Sequence, residues 1–255
     1  MANKVTIVTG GGSGIGQAIA IALADSGAKV QILDLNIESA NETVSLVKKK
    51  GKLAVAHQCD ISNQDQVNAT IQKIIADSGA IQILVNSAGI ANIGKLEDTA
   101  ETDLDRIYQV NIKGVYHTMK ASINSMRSTG GGVILNIASV AASVGIPDRF
   151  AYSMSKGAVL TMSLSVAKDY IKDNIRCNCI SPARVHTPFV DGYLRATYPD
   201  KEKEMFQKLS ATQPIGRMAA PSEIASLALF LCSDEASFIT GSDYPIDGGF
   251  TRLNN

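Results

Sequence analysis

The sequence has no net charge, no paired-cysteine motif, no histidine cluster and no long apolar run, and each absence removes a class of function. Its 255 residues hold 24 lysines and arginines against 24 aspartates and glutamates, a formal charge of +0 at pH 7. Such a chain has no overall field to gather a phosphate backbone or an anionic membrane, so no nucleic acid partner is expected. The four cysteines, Cys59, Cys177, Cys179 and Cys232, form no C-x-x-C pair and have no histidine pair at zinc-ligand spacing. They are expected as buried thiols in a reducing compartment, with Cys177 and Cys179 on one face of a strand. The histidines His57, His117 and His186 are scattered. No metal is expected, and of the three only His186 lies where a substrate could be near. No apolar run approaches the ~18 residues of a membrane span. The chain begins Met1, Ala2, Asn3, Lys4 and reads as a strand from Val5, which leaves no room for a charged leader and cleavage site; a cytoplasmic location is the expectation.

What is present is the composition of a globular protein, 45% hydrophobic and 19% charged residues, in a chain long enough for one large core. Short β-branched runs at residues 5–9, 29–34, 53–60, 81–86, 133–138, 175–180 and 244–246 alternate with helical stretches at 16–26, 37–50, 64–78, 101–127, 152–172 and 221–232. Near-continuous apolar strands separated by amphipathic helices predict a parallel sheet covered on both faces. The expected fold is α/β, a doubly wound Rossmann-type sheet in three layers and a single domain over residues 1–255. Residues 183–216, of mixed polarity and too long for an ordinary connection, are expected to carry short helices and to act as a substrate loop or lid. No repeat, linker or low-complexity tract marks a second domain.

Directly after the first strand come Thr9, Gly10, Gly11, Gly12, Ser13, Gly14, Ile15 and Gly16, running into a helix. Glycines permit a tight turn and let phosphate oxygens approach backbone N–H groups at a helix N-terminus, so Gly10, Ser13, Gly14, Ile15 and Gly16 are candidates for holding a dinucleotide pyrophosphate. A plain strand-to-helix turn is the bland alternative. The Gly-Lys-Ser/Thr ending of a nucleoside-triphosphate loop is missing. Asp34 ends the second strand, near the spacing of about 20 residues expected for an acid that binds an adenosine ribose. Its carboxylate accepts from ribose hydroxyls and repels a 2′-phosphate, and Leu35, Asn36 and Ile37 offer no cation to neutralise one. NAD is therefore expected over NADP; a helix N-cap is the alternative role for Asp34.

Tyr152 and Lys156 stand four apart, on one face of a predicted helix. A neighbouring cation stabilises phenolate, and lowering a tyrosine pKa from about 10 to about 7 requires roughly 4 kcal/mol of differential interaction. Tyr152 could then serve as acid or base near neutral pH. Ser139, past the end of the 133–138 strand, would project from the carboxyl edge of the sheet and donate a hydrogen bond to a substrate oxygen. Arg149, three residues before Tyr152, presents a rigid fork of donors suited to a carboxylate, and Arg184 or Arg195 could supply the same contact. The alternative for Arg149 is a pair with Asp148 or with a neighbouring subunit.

The combination resembles the short-chain dehydrogenase/reductase family from residue 5 to residue 249. It is carried by the Thr9–Gly16 turn, Asp60, the run Asn86, Ser87, Ala88, Gly89, then Asn111, Ser139, the Tyr152 and Lys156 pair and residues 178–187. The resemblance implies an NAD-dependent alcohol or ketone oxidoreductase with a small-molecule substrate. It implies that Asp60 holds the adenine amino group with Ile61 against the ring, and that Asn86 and Gly89 form the turn beside the adenine ribose. Asn111 would support a water relaying protons to Lys156; on its residue type alone it is a polar position that locally disturbs a helix. Val185 and Thr187 would hold the nicotinamide carboxamide, and Lys156 would bind ribose as well as lower the Tyr152 pKa. Residues 221–232 and 238–250 resemble the family's subunit contacts, implying a homotetramer. Two positions depart from the pattern: Ser87 replaces a second asparagine, and Ala183 follows Pro182 where glycine is usual, so that turn must avoid positive φ. Residues 181–194 resemble members that oxidise sugars or deoxy-sugar acids. A 3-oxoacyl-thioester reductase is an alternative, disfavoured by Asp34; a sugar-nucleotide epimerase disagrees with the glycine spacing; a non-catalytic NAD-binding protein is a distant third.

Overall fold

The computed structural model describes residues 1–253. A seven-stranded, wholly parallel sheet has the order β3-β2-β1-β4-β5-β6-β7. Its strands are β1 (Val5–Thr9), β2 (Lys29–Asp34), β3 (Ala54–Gln58), β4 (Ile81–Asn86), β5 (Gly132–Ile137), β6 (Ile175–Pro182) and β7 (Asp243–Ile246). Alternation along each strand feeds two separate cores. Val8, Ile32, Ile83, Val85 and Leu135 pack on one face against α1 (Gly14–Asp25), α2 (Ile37–Lys49) and α9 (Pro221–Cys232). Ile7, Leu33, Leu84 and Ile134 pack on the other against α3 (Gln64–Ser78), α5 (Gly114–Ser128) and α6 (Phe150–Asp169). This is the expected doubly wound α/β/α domain, and Cys177 and Cys179 share one face as expected. Each fully buried aliphatic side chain contributes roughly 1.5–3 kcal/mol, so the paired cores fix both layers to the sheet.

The sheet order reverses between β1 and β4, the place where crossovers to either side leave a crevice at the carboxyl ends. The crevice is held by a hydroxyl: Thr9 Oγ1 accepts from the N–H groups of both Ser87 and Ala88 at 3.1 Å. The two turns approach so closely that a Cβ on Gly10, whose φ is +65°, would lie 2.7 Å from the Ala88 Cα.

The single helix expected over 101–127 is three pieces: α4 (Glu101–Ile107), a π-helical turn (Tyr108–Lys113) and α5. The widened turn carries Asn111, and it ends where α5 meets Ile61, whose Cδ1 a Cβ on Gly114 would approach to 2.6 Å. Residues 183–216 carry α7 (Pro188–Thr197) and α8 (Glu202–Ala211). Among the described residues no helix is long and apolar enough to cross a membrane.

Candidate active site

A cleft of about 750 Å³ runs along the carboxyl edge of the sheet across the β1/β4 crossing. At one end lies the glycine turn. Gly10 and Gly14 have positive φ, and a Cβ on Gly16 would sit 2.1 Å from the Gly10 carbonyl oxygen, so helix α1 begins in a backbone cradle that side chains would fill. Ser13, the residue before α1, is extended and its hydroxyl makes no capping bond. Thr187 likewise leaves the first turn of α7 uncapped, and its side chain faces Gly14 across the cleft. Free N–H groups at a helix start and two uncommitted hydroxyls are donors of the kind that bind phosphate oxygens.

Asp34 sits where β2 enters the cleft. Its Oδ2 accepts from Gly12 N–H at 2.9 Å and its Oδ1 from Asn36 N–H at 3.0 Å, leaving each oxygen a further lone pair for a ribose hydroxyl. The N-cap of α2 is Asn36, not Asp34. Asp60 is similarly not a helix cap: Asn63 caps α3, while Asp60 Oδ1 accepts from Ser62 N–H and Oγ at 2.9 and 2.7 Å. Ile61 lines the cleft, propped by His117, whose Nδ1 is 2.9 Å from its carbonyl oxygen.

The two asparagines depart from a direct lining role. Asn86 is buried: its Oδ1 accepts from Thr118 Oγ1 at 2.7 Å and its Nδ2 donates to Asn136 Oδ1 at 2.8 Å, so its amide braces β4 from beneath while Gly89 of the same turn lines the cleft. Asn111 is also buried; its amide clamps Ile90 through both N–H and C=O at 2.9 Å and donates to Ser155 Oγ at 3.0 Å. It ties the β4 turn to α6 and leaves Gly89 close to Lys156, since a Cβ there would meet Asn111 Oδ1 at 3.2 Å and Lys156 Nζ at 3.6 Å.

At the other end Ser139, just past β5, and Tyr152 and Lys156, on α6, converge. Ser139 is 8% exposed, and its Oγ accepts from Ala141 N–H at 3.2 Å. The Tyr152 phenol stands beside the Ser139 hydroxyl, and burial pushes its pKa above the usual range while that hydroxyl and the Arg149 charge pull it down. Lys156 is 7% exposed; its ammonium donates to the Ile137 carbonyl at 2.8 Å and stands 5.7 Å from the Tyr152 ring centre. Burial lowers its pKa to about 8. Loss of water thus outweighs the Ser139 hydroxyl and the Arg149 charge, a shift opposite in direction to the depressed Tyr152 pKa expected from sequence.

Val185 and Thr187 enter the cleft from the segment after β6. Ala183 keeps out of the left-handed region, as the departure from glycine required. Arg149 and Arg184 both line the cleft wall, whereas Arg195 is exposed and reaches only the Asp191 carbonyl at 3.5 Å. His186 turns to Asp191, 2.9 Å away, and Phe206, and does not line the cleft. Sequence reasoning missed the supports Thr9, Gly114, His117 and Thr118. Thr9 opens the glycine-turn motif, but its bracing role, like those of Gly114, His117 and Thr118, runs through a partner distant in sequence.

Comparison with known proteins agrees with this geometry. A family model described as enoyl-(acyl carrier protein) reductase matches residues 10–251. The chain is 36% identical to 2-(S)-hydroxypropyl-CoM dehydrogenase 3 of Xanthobacter autotrophicus, covering 98% of each chain. It is 35% identical to cyclopentanol dehydrogenase of a Comamonas species, covering 98% of this chain and 97% of that one. Its fold superposes on L-sorbose reductase from Gluconobacter frateurii, solved with NADPH and L-sorbose, with a TM-score of 0.94 at 29% identity over 99% of this chain and 98% of that one. The glycine cradle at the sheet crossing, the Ser139, Tyr152 and Lys156 cluster and these matches together show that the chain belongs to the short-chain dehydrogenase/reductase family, oxidoreductases that use a nicotinamide cofactor to interconvert secondary alcohols and ketones.

Proposed function

We propose that this oxidoreductase is an NAD-dependent dehydrogenase acting on a polar secondary alcohol: a sugar, sugar acid or hydroxy acid. The observation that carries the reading is that one continuous cleft holds the glycine turn and Asp34 at one end and Ser139, Tyr152 and Lys156 at the other. NAD supplies the hydride acceptor when bound. Gly10, Ser13, Gly14, Ile15 and Gly16 hold its pyrophosphate, Asp34 the adenosine ribose, Asp60 and Ile61 the adenine, and Val185 and Thr187 the carboxamide. Gly89 lies beside the adenosine, with Asn86 bracing that turn from below. The Asp34 carboxylate repels a 2′-phosphate, and exposed Leu35 offers nothing to offset that repulsion. The same feature speaks against an NADPH-linked acyl-thioester reductase.

Ser139 donates to the substrate oxygen, and Tyr152 takes or returns the hydroxyl proton. Lys156 keeps a positive charge on the phenolate side of the cleft and donates to the cofactor ribose, and Asn111 fixes the loop and helix between which its ammonium sits. Burial raises the Tyr152 pKa while the Ser139 hydroxyl and the Arg149 charge lower it, so the phenolate depends on donors and cations brought against it, a role we assign to Lys156 as well from its place one helical turn away. The segment 183–216 closes over the substrate as a lid.

A homotetramer in a cytoplasmic, reducing setting completes the proposal. Supporting it are the open edge of β7, Phe230 on α9 at 42% exposure, fully exposed Phe238, and four free thiols that are all buried. A tetrameric mass by light scattering at micromolar concentration is expected; a monomer would contradict the assembly.

Tyr152→Phe should fold and bind NAD while losing at least ~100-fold in kcat, the scale of general acid–base catalysis. Lys156→Ala should move the activity profile to higher pH, because the phenolate loses its cation. Retained kcat in the first variant removes Tyr152 from the chemistry, and an unmoved profile in the second separates the two residues.

Asp34→Ala combined with Leu35→Arg should weaken NAD use and improve NADP use, read as kcat/KM for each cofactor. A wild type that already prefers NADP would overturn the argument from Asp34.

A further inference from the structure

Next to the Ser139 and Tyr152 end of the cleft opens a side pocket of about 340 Å³ whose lining includes Arg149, Arg184, Asn92, Phe189 and Tyr193 and no acidic residue. Arg149 comes from the start of α6 and Arg184 from the segment after β6, so two distant stretches of chain bring two cations to one wall. The two guanidinium groups are close enough for one to act on the other: burial lowers the Arg184 pKa first, and the Arg149 charge lowers it further. Neither is neutralised by the protein. Among the described residues both are absent from every ion pair. Arg149 Nη1 donates to the Asp148 backbone carbonyl at 3.1 Å and Arg184 Nε to Thr212 Oγ1 at 2.9 Å. A guanidinium carries five donors, so most of this capacity is unspent.

Three other arginines of the chain spend their donors within the protein. Arg127 and Arg217 hold the carboxylates of Asp173 and Glu223, and half-buried Arg176 holds the carbonyls of Ile239 and Ser233. Unpaired like charges gathered in a pocket raise the energy of the folded chain, and an incoming anion recovers that energy. The backbone of Arg149 is also held in place. Gly94 N–H donates to the Asp148 carbonyl at 3.0 Å and Phe150 N–H to the Gly94 carbonyl at 3.2 Å, and Asp148 itself adopts φ +58°.

We propose that Arg149 and Arg184 clamp a carboxylate of the substrate in this side pocket, so that the enzyme interconverts a hydroxy acid and the corresponding oxo acid. The proposal rests on the reading of Ser139, Tyr152 and Lys156 as the chemical site. Because Arg149 and Tyr152 share the first turns of α6, a carboxylate held by the one fixes the carbinol carbon relative to the other. A planar fork suits a planar carboxylate better than a point charge would.

The test uses wild-type enzyme with NAD and a panel of 2- and 3-hydroxy acids and aldonic acids, each paired with its methyl ester. Wild type should prefer acid over ester. In Arg149→Met and in Arg184→Met the acid-to-ester ratio of kcat/KM should fall by about 10–100-fold, mainly through KM, the size of a lost charged hydrogen bond. Arg149→Lys should keep part of the preference. Because the two methionine variants lie on different elements, both failing to fold is excluded by their melting curves. Calorimetry of the NADH-loaded protein with the same acids gives a readout independent of turnover. Equal treatment of acids and esters, equal losses on both, or no acid binding at millimolar concentration overturns the clamp. Tyr152→Phe abolishing turnover of acids and esters alike while the arginine variants leave the ratio unchanged would sink the clamp and spare the chemical site; the reverse outcome would sink the chemical site.

Discussion

The site depends on the approach of two turns at the crossing of β1 and β4. Connections leaving β1 and β4 go to opposite sides of the sheet, and the crevice this opens is bounded by the turn after each strand. One hydroxyl, Thr9 Oγ1, receives two N–H groups of the β4 turn, and Gly10 is tight enough against Ala88 that no side chain fits between them. From that junction the α1 N-terminus faces along the cleft on one side. On the other, Asn111 links the β4 turn to Ser155 of α6, setting Lys156 and Tyr152 in place. Cofactor cradle and catalytic helix are thus registered through a few hydrogen bonds rather than by bulk packing alone.

Burial gives the catalytic end its electrostatic character. Withdrawal from water pushes the Tyr152 phenol up and the Lys156 ammonium down to about 8. A shift of that size in a lysine corresponds to on the order of 3 kcal/mol. The sign follows from proton binding: the unfolded chain keeps the proton between about 8 and the ordinary lysine value while the folded chain releases it, so the cost is full below pH 8 and is relieved as pH rises above it. The Ile137 carbonyl at 2.8 Å offsets part of this cost and aims the ammonium along the cleft floor. A charged group held at such expense beside a phenol that burial makes harder to ionise is the pattern of a functional site.

Much of this was legible in the sequence. Near-continuous apolar strands implied a sheet covered on both faces and glycine spacing implied the cradle, because both are local properties of the chain. Fifteen or so residues named from motif and resemblance line one cleft, as their order along the sheet edge requires. The rest depended on tertiary partners. Asn86 and Asn111 turn inward because Thr118, Asn136, Ile90 and Ser155 are there to satisfy buried amides. The 101–127 stretch reads as continuous helix in sequence, whereas the structure has a π turn between α4 and α5 that carries Asn111, whose amide is spent on Ile90 and Ser155. The caps are Asn36 and Asn63, so the aspartates that ended β2 and followed β3 were free to face the cleft.

The central claim is that a dinucleotide lies along this single cleft with its adenosine at Asp34 and Asp60 and its nicotinamide at Tyr152. A crystal structure of the NADH complex tests it directly. The account predicts the pyrophosphate on the N–H groups of residues 13–16, a ribose hydroxyl on Asp34, Lys156 Nζ on the second ribose and the nicotinamide ring against Tyr152. A dinucleotide in the opposite orientation, or one bound away from the β1/β4 crossing, would contradict it.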